Sequence, residues 1–397
     1  MLQRFKCFAC VFLACTMLCG CKKAPEDTMD TYTIFVGTDL HYISPEITDY
    51  GPLFMQVVSN ADGKLTEHTE EIAEEFVETA LREHPDAVIL TGDLTFNGEK
   101  KSLEDLAEKL NRLEDAGIEV LVISGNHDIA YPQARRFEGN TVFPTEIITQ
   151  KDFAEIMSEY GFRDALSVDD SSNSYVYALN ENLWILALDA NTEQEPGSIT
   201  VSTLQWAEEQ LKQAKEKNVH VISITHQNVL PQNDLLYTGY VINNNEQVVS
   251  VLEKGGVTLN LSGHSHIQHT ARDEVLTDIC TEAMSVYPLR YGVIKISGNS
   301  WNYERAHLDI LQDEARERFT HRTEEQIRAL LEERDISEAD REEMVSFAVN
   351  MNVMNFCDDI DPDTHYRNLK GWKLWEDYGK DTFWYYYFDT MTKGDGS

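Results

Sequence analysis

Residues 119–128, EVLVISGNHD, join an apolar run to a cluster of polar side chains. The run has the length of a buried strand and ends at Gly125, and Asn126, His127 and Asp128 follow without a break. Asparagine and aspartate are ordinary turn formers, but turn chemistry alone does not explain a histidine between them. The stretch therefore predicts a buried strand followed by a turn that carries a functional site.

The same pattern recurs along the chain. Five other apolar runs end directly in polar residues: YTIFVGTD (32–39), DAVILTGD (86–93), LWILALD (183–189), HVISITH (220–226) and VTLNLSGHSH (257–266). Between them lie helical stripes, such as Leu103, Leu106, Leu110 and Leu113. Strands alternating with helices predict an α/β fold, and periodicity alone favours a parallel sheet. Sites in such folds form at the carboxyl ends of the strands, where these polar residues lie.

The strand ends together offer carboxylate, amide and imidazole side chains: Asp39, His41, Asp93, Asn126, His127, Asp128, His226, His264 and His266. These ligand types suit Mn, Fe or Zn. Two metal ions that share one carboxylate need about seven protein ligands, the number left when His127 and Asp128 are set aside. A nearby histidine that binds no metal can protonate a leaving group, and a carboxylate behind it can fix its tautomer.

Five short motifs carry a family resemblance: D-x-H at 39–41, GD at 92–93, GNHD at 125–128, TH at 225–226 and GHSH at 263–266. In this order they resemble the calcineurin-like metallophosphoesterase superfamily, over roughly residues 32–300. GDLTFNG and LDANTEQEPGSITVSTLQWAEEQL are similar to its class III cyclic nucleotide phosphodiesterase branch. The layout most resembles bacterial lipoproteins of that branch with an extra helical C-terminal domain.

The resemblance implies an αββα fold, in which two mixed sheets form a sandwich flanked by helices, and so replaces the purely parallel sheet. It also implies a role for each motif residue. Asp39, His41 and His266 would bind one divalent metal ion, and Asn126, His226 and His264 the other. Asp93 would bridge the two ions. His127 would act as the acid, supported by Asp128.

The function implied is hydrolysis of a small phosphodiester, with a cyclic nucleotide as one candidate, by attack of a metal-bridging hydroxide. A second interpretation is a phosphomonoesterase or nucleotidase, or a phosphodiesterase of the cell envelope. A third is a lipid-anchored binding protein without activity. No protein partner is indicated by the sequence.

The charge of the chain restricts its partners. The 397 residues carry a formal net charge of −36, which repels the phosphates of a nucleic-acid polymer. A small phosphate ester is repelled as well, so its binding site has to supply positive charge locally. Bound metal ions are the obvious source.

The N-terminus has the features of a targeting segment. Arg4 and Lys6 precede an apolar stretch too short for a membrane span, which ends in Leu-Cys-Gly-Cys at 18–21. This ending resembles a bacterial lipobox, which implies a signal peptide over 1–21, lipidation of Cys21 and a tether over 22–31. We therefore expect an extracytoplasmic lipoprotein attached to the membrane through its lipid. An ordinary secretory signal is the alternative.

Two domains are expected after the tether, a catalytic domain over 32–305 and a charge-dense helical domain over 306–392. The closely spaced aromatics near the end, GWKLWEDYGKDTFWYYYFD, are either core residues of the second domain or a platform for a ligand. Two cysteines lie outside the leader, Cys280 and Cys357. They either form one disulfide or remain two buried thiols.

Loops beside the motifs are candidates for substrate contact. Tyr42 follows the first motif, Arg135 follows GNHD, and Asn228 and Tyr237 follow the TH motif. Arg135 is a rare cation in an acidic protein, and a tyrosine could stack on a base. The alternative is that these residues only hold the long loops together.

Overall fold

The computed structural model describes residues 31–59 and 63–392. Its strands are β1 Tyr32–Gly37, β2 Ala87–Leu90, β3 Glu119–Val122, β4 Arg135–Glu138, β5 Thr141–Pro144, β6 Ser167–Val168, β7 Tyr175–Asn180, β8 Leu183–Ala187, β9 His220–Ile224, β10 Leu259–Ser262, β11 His269–Arg272, β12 Thr277–Cys280, β13 Arg290–Ser297 and β14 Ser300–His307. Its α-helices are α1 Pro52–Ser59, α2 Thr69–Glu83, α3 Lys100–Asp115, α4 Gln150–Ile156, α5 Val201–Lys217, α6 Asn245–Gly255, α7 Gln312–Leu331, α8 Glu338–Phe356, α9 Lys370–Tyr378 and α10 Phe383–Met391.

Two mixed sheets form the centre of the fold. The first has the order β14-β13-β1-β2-β3, and the second has the order β11-β12-β10-β9-β8-β7-β6. Parallel pairing joins β1, β2 and β3 in the first sheet and β8, β9, β10 and β12 in the second, while the outer strands pair antiparallel. The two mixed sheets expected from the family resemblance are thus confirmed, and the purely parallel sheet is wrong.

Alternation along the strands builds the layers. In β1, Ile34 and Val36 point into the core between the sheets, whereas Phe35 points outward to the core beneath α2 and α3. In β8, Ile185 points inward and Leu186 outward, toward α5 and α6. Successive side chains of a strand alternate between the two faces of the sheet. Since apolar residues on both faces are buried, each sheet is covered on both sides. The result is the expected αββα arrangement.

Helices α7 to α10 form the expected helical C-terminal region. Their own core contains the buried rings of Trp372, Trp375 and Phe388. The region is attached to the sandwich at several points, including a two-pronged ion pair from Arg318 on α7 to Glu67. The predicted boundary between 305 and 306 falls within β14.

Three further expectations concern the ends and the cysteines. The predicted signal peptide, Cys21 and nearly all of the tether lie outside the described residues. No helix of the described ranges is both long and apolar enough to cross a membrane. Cys280 and Cys357 are both buried and unpaired with each other, so the two-thiol alternative holds.

Candidate metal centre

The ends of five parallel strands meet at one edge of the sandwich. Asp39, Asp93 and Asn126 follow β1, β2 and β3 of the first sheet, while His226 and His264 follow β9 and β10 of the second. Face-to-face packing of the sheets brings the two sets together. All seven predicted ligands converge there, in two adjoining clusters.

The first cluster contains Asp39, His41 and His266. The two imidazole Nε2 atoms lie 3.4 Å apart. Asp39 Oδ1 lies 3.3 Å from Nε2 of His266 and 3.8 Å from Nε2 of His41. Side chains that offer an oxygen and two nitrogens at this spacing can surround one cation.

The second cluster contains Asn126, His226 and His264. Nε2 of His226 lies 3.1 Å from Oδ1 of Asn126, and His264 offers a nitrogen nearby. Asp93 belongs to both clusters, because its Oδ1 lies 3.3 Å from Nε2 of His226 and its Oδ2 lies 3.8 Å from Nε2 of His41. One carboxylate therefore presents one oxygen to each side.

Backbone carbonyls orient the ligand imidazoles. Nδ1 of His226 lies 2.8 Å from the carbonyl oxygen of Thr91, and Nε2 of His264 lies 2.6 Å from that of Gly239. A ring nitrogen that donates to a carbonyl fixes the tautomer, so the other nitrogen keeps its lone pair for a metal. His226 accordingly faces the centre with Nε2, and His264 with Nδ1.

The backbone of the ligand loops is unusual. Asp39, His41, Asp93, His264 and His266 all have positive φ, from 48° to 69°. Such conformations are uncommon for residues with a Cβ and cluster at functional sites.

Gly125 is needed because of limited space and not because of its backbone conformation. Its φ is not positive, but a Cβ there would lie 2.1 Å from the backbone nitrogen of Asp93. The glycine allows the GNHD turn to approach the bridging carboxylate, and it is not needed to sharpen the turn.

Burial and neighbouring charges together set the pKa of His41, His226 and His264. Burial lowers the pKa of His41 well below its usual range, with the ammonium of Lys64 acting in the same direction. Burial, together with the charge of His226, lowers the pKa of His264 to about 4. Against the effect of burial, the carboxylate of Asp93 raises the pKa of His226 to about 9. Neutral imidazole is the form that binds metal, so a cation competes with the proton on His226.

The carboxylate of Asp39 in the first cluster shows whether the side chains there suit a bound cation. Oδ1 of Asp39 is buried and accepts no hydrogen bond from the described residues, although His41 and His266 surround it. A buried carboxylate oxygen is costly without a partner. A divalent cation would satisfy that oxygen and both lone pairs together, so the residues fit the dinuclear centre that the family resemblance implies.

His127 lies beside the centre, and its ring is held from behind. Its Nδ1 lies 3.0 Å from the carbonyl oxygen of Phe96 and 3.2 Å from Oδ1 of Asn97, and its ring packs edge-on against that of His41. Burial lowers the pKa of His127 below its usual value. With Nδ1 engaged, Nε2 is the nitrogen available for proton transfer.

Asp128 does not have the expected contact with His127. Its carboxylate instead accepts hydrogen bonds from the backbone nitrogens of Leu94, Thr95 and Gly125 and from the hydroxyl of Thr95. Burial, and then the charge of Asp93, raises the pKa of Asp128 to about 6. Asp128 therefore joins the loop after β2 to the loop after β3, and the carbonyl of Phe96 orients the imidazole.

The four predicted substrate-contacting residues are each hydrogen-bonded to other parts of the protein. Tyr42 is buried, and its hydroxyl is hydrogen-bonded to Glu70. Asn228 is buried, and its amide oxygen and nitrogen bind the GHSH turn at Ser262, Gly263 and Ser265. Arg135 donates to the carbonyls of Pro132 and Ala134, and the hydroxyl of Tyr237 donates to Asn245. None of them lines the cleft at the metal centre.

The cleft has a volume of about 580 Å³ and is lined in part by residues that the motifs did not reveal. Four of the predicted metal ligands line it: Asp93, Asn126, His264 and His266. Its walls include Lys64, Tyr240, Arg322, Phe383, Trp384 and Tyr387. Among these residues, the sequence indicated only the closely spaced aromatics near the C-terminus, for which a platform for a ligand was one of two alternatives.

Comparisons with known proteins agree with this geometry. A model of the calcineurin-like phosphoesterase family matches residues 32–268. The uncharacterized metallophosphoesterase YhaO of Bacillus subtilis is 32% identical over an alignment of 147 positions, and the match covers 33% of this chain and 33% of YhaO. The DNA double-strand break repair protein Mre11 of Aeropyrum pernix is 49% identical over 55 residues, 13% of each chain. This chain thus spans a third or less of the length of these curated relatives.

A solved structure supports the fold. A dimetal phosphatase from Danio rerio superposes with a TM-score of 0.51 at 14% identity, covering 70% of this chain and 96% of that one. The family match covers more than half of the chain and contains every residue of the two ligand clusters. The chain therefore belongs to the calcineurin-like phosphoesterase family.

Proposed function

We propose that this protein is a dinuclear-metal phosphodiesterase that hydrolyses a small phosphodiester. The observation that carries the proposal is the position of Asp93, which presents one carboxylate oxygen to each ligand cluster. A shared carboxylate between two nitrogen-rich clusters is what a pair of closely spaced divalent cations requires. Mn, Fe and Zn all suit these ligands.

The chemistry divides between the cations and the side chains. Divalent ions held by the two clusters would supply positive charge to the phosphoryl oxygens and lower the pKa of a water molecule. His127 protonates the leaving group. Its Nδ1 is held by the carbonyl oxygen of Phe96, so its Nε2 is the nitrogen that carries the proton. An anionic phosphate beside the ring favours protonation of that nitrogen, which then passes the proton to the departing alkoxide.

The size and charge of the molecule favour a small substrate. The cleft volume of about 580 Å³ is in the range of sites for small molecules. A net charge of −36 opposes binding of a nucleic-acid polymer. The similarity to Mre11 over a short stretch is therefore no reason to propose DNA as the substrate. A cyclic nucleotide is the first small diester to test.

We further propose that the reaction takes place outside the cytoplasm, and the N-terminal sequence supports this. Residues 1–21 have the order of a lipoprotein leader, with Cys21 as the residue that receives the lipid. Metabolic labelling with a radioactive fatty acid tests the anchor, because Cys21→Ser should abolish labelling of the chain.

A metal-reconstitution assay tests the enzymatic proposal. The full chain is stripped with chelator, reloaded separately with Mn, Fe or Zn, and assayed on bis(p-nitrophenyl) phosphate and p-nitrophenyl phosphate, with metal content measured on the same sample. We expect the diester to be the better substrate and two metal ions per chain. Preference for the monoester would favour a phosphomonoesterase, and inactivity with every metal would favour a binding protein.

A further inference from the structure

Part of the lining of the cleft comes from the helical C-terminal region. Phe383, Trp384 and Tyr387 of α10 line the cleft, and so does Arg322 of α7. The hydroxyl of Tyr387 accepts a hydrogen bond of 2.6 Å from Asn355 on α8, which fixes that ring. The metal centre and these aromatic residues thus border one continuous space.

The aromatic residues of α10 differ in burial, and Trp384 and Tyr385 are partly buried and pack against the core of the helical region. Tyr387 and Phe388 are buried and belong to the core of the helical region. Phe383 remains 54% exposed, and its ring stacks on Tyr387 with centroids 5.4 Å apart. A large ring exposed beside a polar site and supported by a second ring is a feature of binding surfaces. Packing of the helical core does not account for Phe383.

The charge of the cleft is the reverse of the charge of the chain. The protein has 69 acidic and 33 basic residues. Among the described residues that line the cleft, however, Asp93 is the only carboxylate, whereas Lys64 and Arg322 are cations. An anion is therefore drawn to this face of an otherwise repulsive molecule.

We propose that α7 and α10 form a subsite for a planar aromatic group of the substrate, with Phe383 and Trp384 as the stacking surface and a nucleobase as the best-fitting group. This inference rests on the proposed function, since it assigns the organic part of the ester whose phosphate lies over the metal centre. Stacking on aromatic side chains is the usual way in which proteins hold bases without reading their sequence. The subsite makes the helical region a determinant of substrate choice.

A calorimetric binding experiment tests the subsite without relying on turnover. The metal-loaded full chain is titrated with phosphonate isosteres of adenosine 5′-monophosphate and ribose 5-phosphate, whose carbon–phosphorus bonds resist hydrolysis, and with benzylphosphonate. We expect the adenosine compound to bind about tenfold or more tightly than the ribose compound. Benzylphosphonate shows whether the subsite accepts any aromatic ring or prefers a nucleobase. If it binds as tightly as the adenosine compound, the subsite is a general aromatic one, and if it binds more weakly, the subsite prefers a nucleobase.

A matched pair of variants locates the subsite. Phe383→Ala and Trp384→Ala should reduce binding of the adenosine compound to near that of the ribose compound, which should itself be little changed. Tyr386→Ala is the control, because Tyr386 is 51% exposed on the same helix and does not line the cleft. Phe383 is exposed, so its replacement leaves the helical core intact, and circular dichroism checks this.

Two results would overturn the subsite: equal affinity of the unmodified chain for the adenosine and ribose compounds, or equal losses in the Phe383 and Tyr386 variants. Hydrolysis of bis(p-nitrophenyl) phosphate is measured on the same sample. Preferential adenosine binding without hydrolysis would refute the proposed function and keep the subsite, whereas hydrolysis without the preference would do the reverse.

Discussion

Nε2 of His226 lies 3.1 Å from Oδ1 of Asn126, although the two residues are 100 positions apart and follow strands of different sheets. The second cluster therefore exists only when the two sheets are packed together. A cation bound there joins the sheets directly, so metal binding and folding are linked.

Removal of metal should accordingly destabilise the protein. A ligand that binds only the folded state at 100 times its dissociation constant adds about 2.7 kcal/mol of stability. We expect the melting temperature of the full chain to fall when chelator is added and to recover with Mn or Zn. Asp93→Ala, which removes an oxygen from both clusters, should melt at the same temperature with and without chelator. A chelator effect that persists in this variant would contradict a shared bridge.

His127→Ala should separate metal binding from chemistry. The imidazole is placed beside the ligands but is held by Phe96, so its loss should leave two metal ions per chain while lowering kcat by about 10² to 10⁴. Metal content by mass spectrometry and kcat on the same preparation check this. Loss of one metal ion would instead identify His127 as a ligand.

Asp128→Asn should act on stability. The carboxylate accepts four hydrogen bonds from the loops after β2 and β3, and an amide cannot accept all of them. A hydrogen bond to a buried charge contributes roughly 1.5 to 3 kcal/mol, so we expect a loss of stability of that size or more in urea unfolding. The acid limb of the pH–rate profile should keep its midpoint, because Asp128 does not contact the imidazole. A shifted midpoint would restore the orienting role predicted from the sequence.

Glu282 should make the stability depend on pH. It is buried, neither of its oxygens accepts a hydrogen bond from the described residues, and burial raises its pKa from 4.5 to about 8. Unfolding therefore releases a proton between these values, and this group's contribution to stability falls as pH rises from 4.5 to 8, by about 1.4 kcal/mol per unit at most.

Glu282→Gln provides the matched comparison, since glutamine resembles the protonated acid in shape and cannot ionise. The variant should gain stability relative to the unmodified chain as pH rises from 5 to 8, measured by urea unfolding at each pH. Parallel stability curves for the two proteins would show that Arg290, 3.6 Å away, keeps the carboxylate ionised at low pH.

The two described cysteines should be unreactive in the folded protein. Both are buried, and burial raises the pKa of Cys357 to about 12 and that of Cys280 further. Thiolate is the reactive form. A chain that begins at residue 31 should show no reaction with Ellman's reagent until it is unfolded, and then two thiols. Fast labelling of either thiol in the folded chain would contradict this burial.

The metal centre was predictable from the sequence because its ligands follow short buried strands. A strand end fixes the position of the next residues, and parallel strands of one sheet end at the same edge, so Asp39, Asp93 and Asn126 had to meet. The meeting of the two sheets was not encoded in periodicity and came from the family resemblance.

Residues next to the motifs were harder to place. Tyr42 and Asn228 stand one and two positions after the predicted metal ligands His41 and His226, yet both turn inward and form hydrogen bonds with other side chains. Adjacency along a loop does not fix the direction of a side chain. The sequence could not place the C-terminal aromatic residues at the cleft. Phe383 reaches the cleft only through the packing of α7 to α10, which depends on contacts between residues far apart in the chain.

The two walls of the cleft come from different parts of the chain. The metal ligands end at His266, while Arg322 and Phe383 belong to helices with a separate hydrophobic core. Substitutions in these helices can therefore alter one part of the cleft lining without replacing any of the predicted metal ligands. Within a lineage of such proteins, new substrates could be acquired by drift or exchange of the helical segment alone, while the catalytic sandwich stays unchanged under selection.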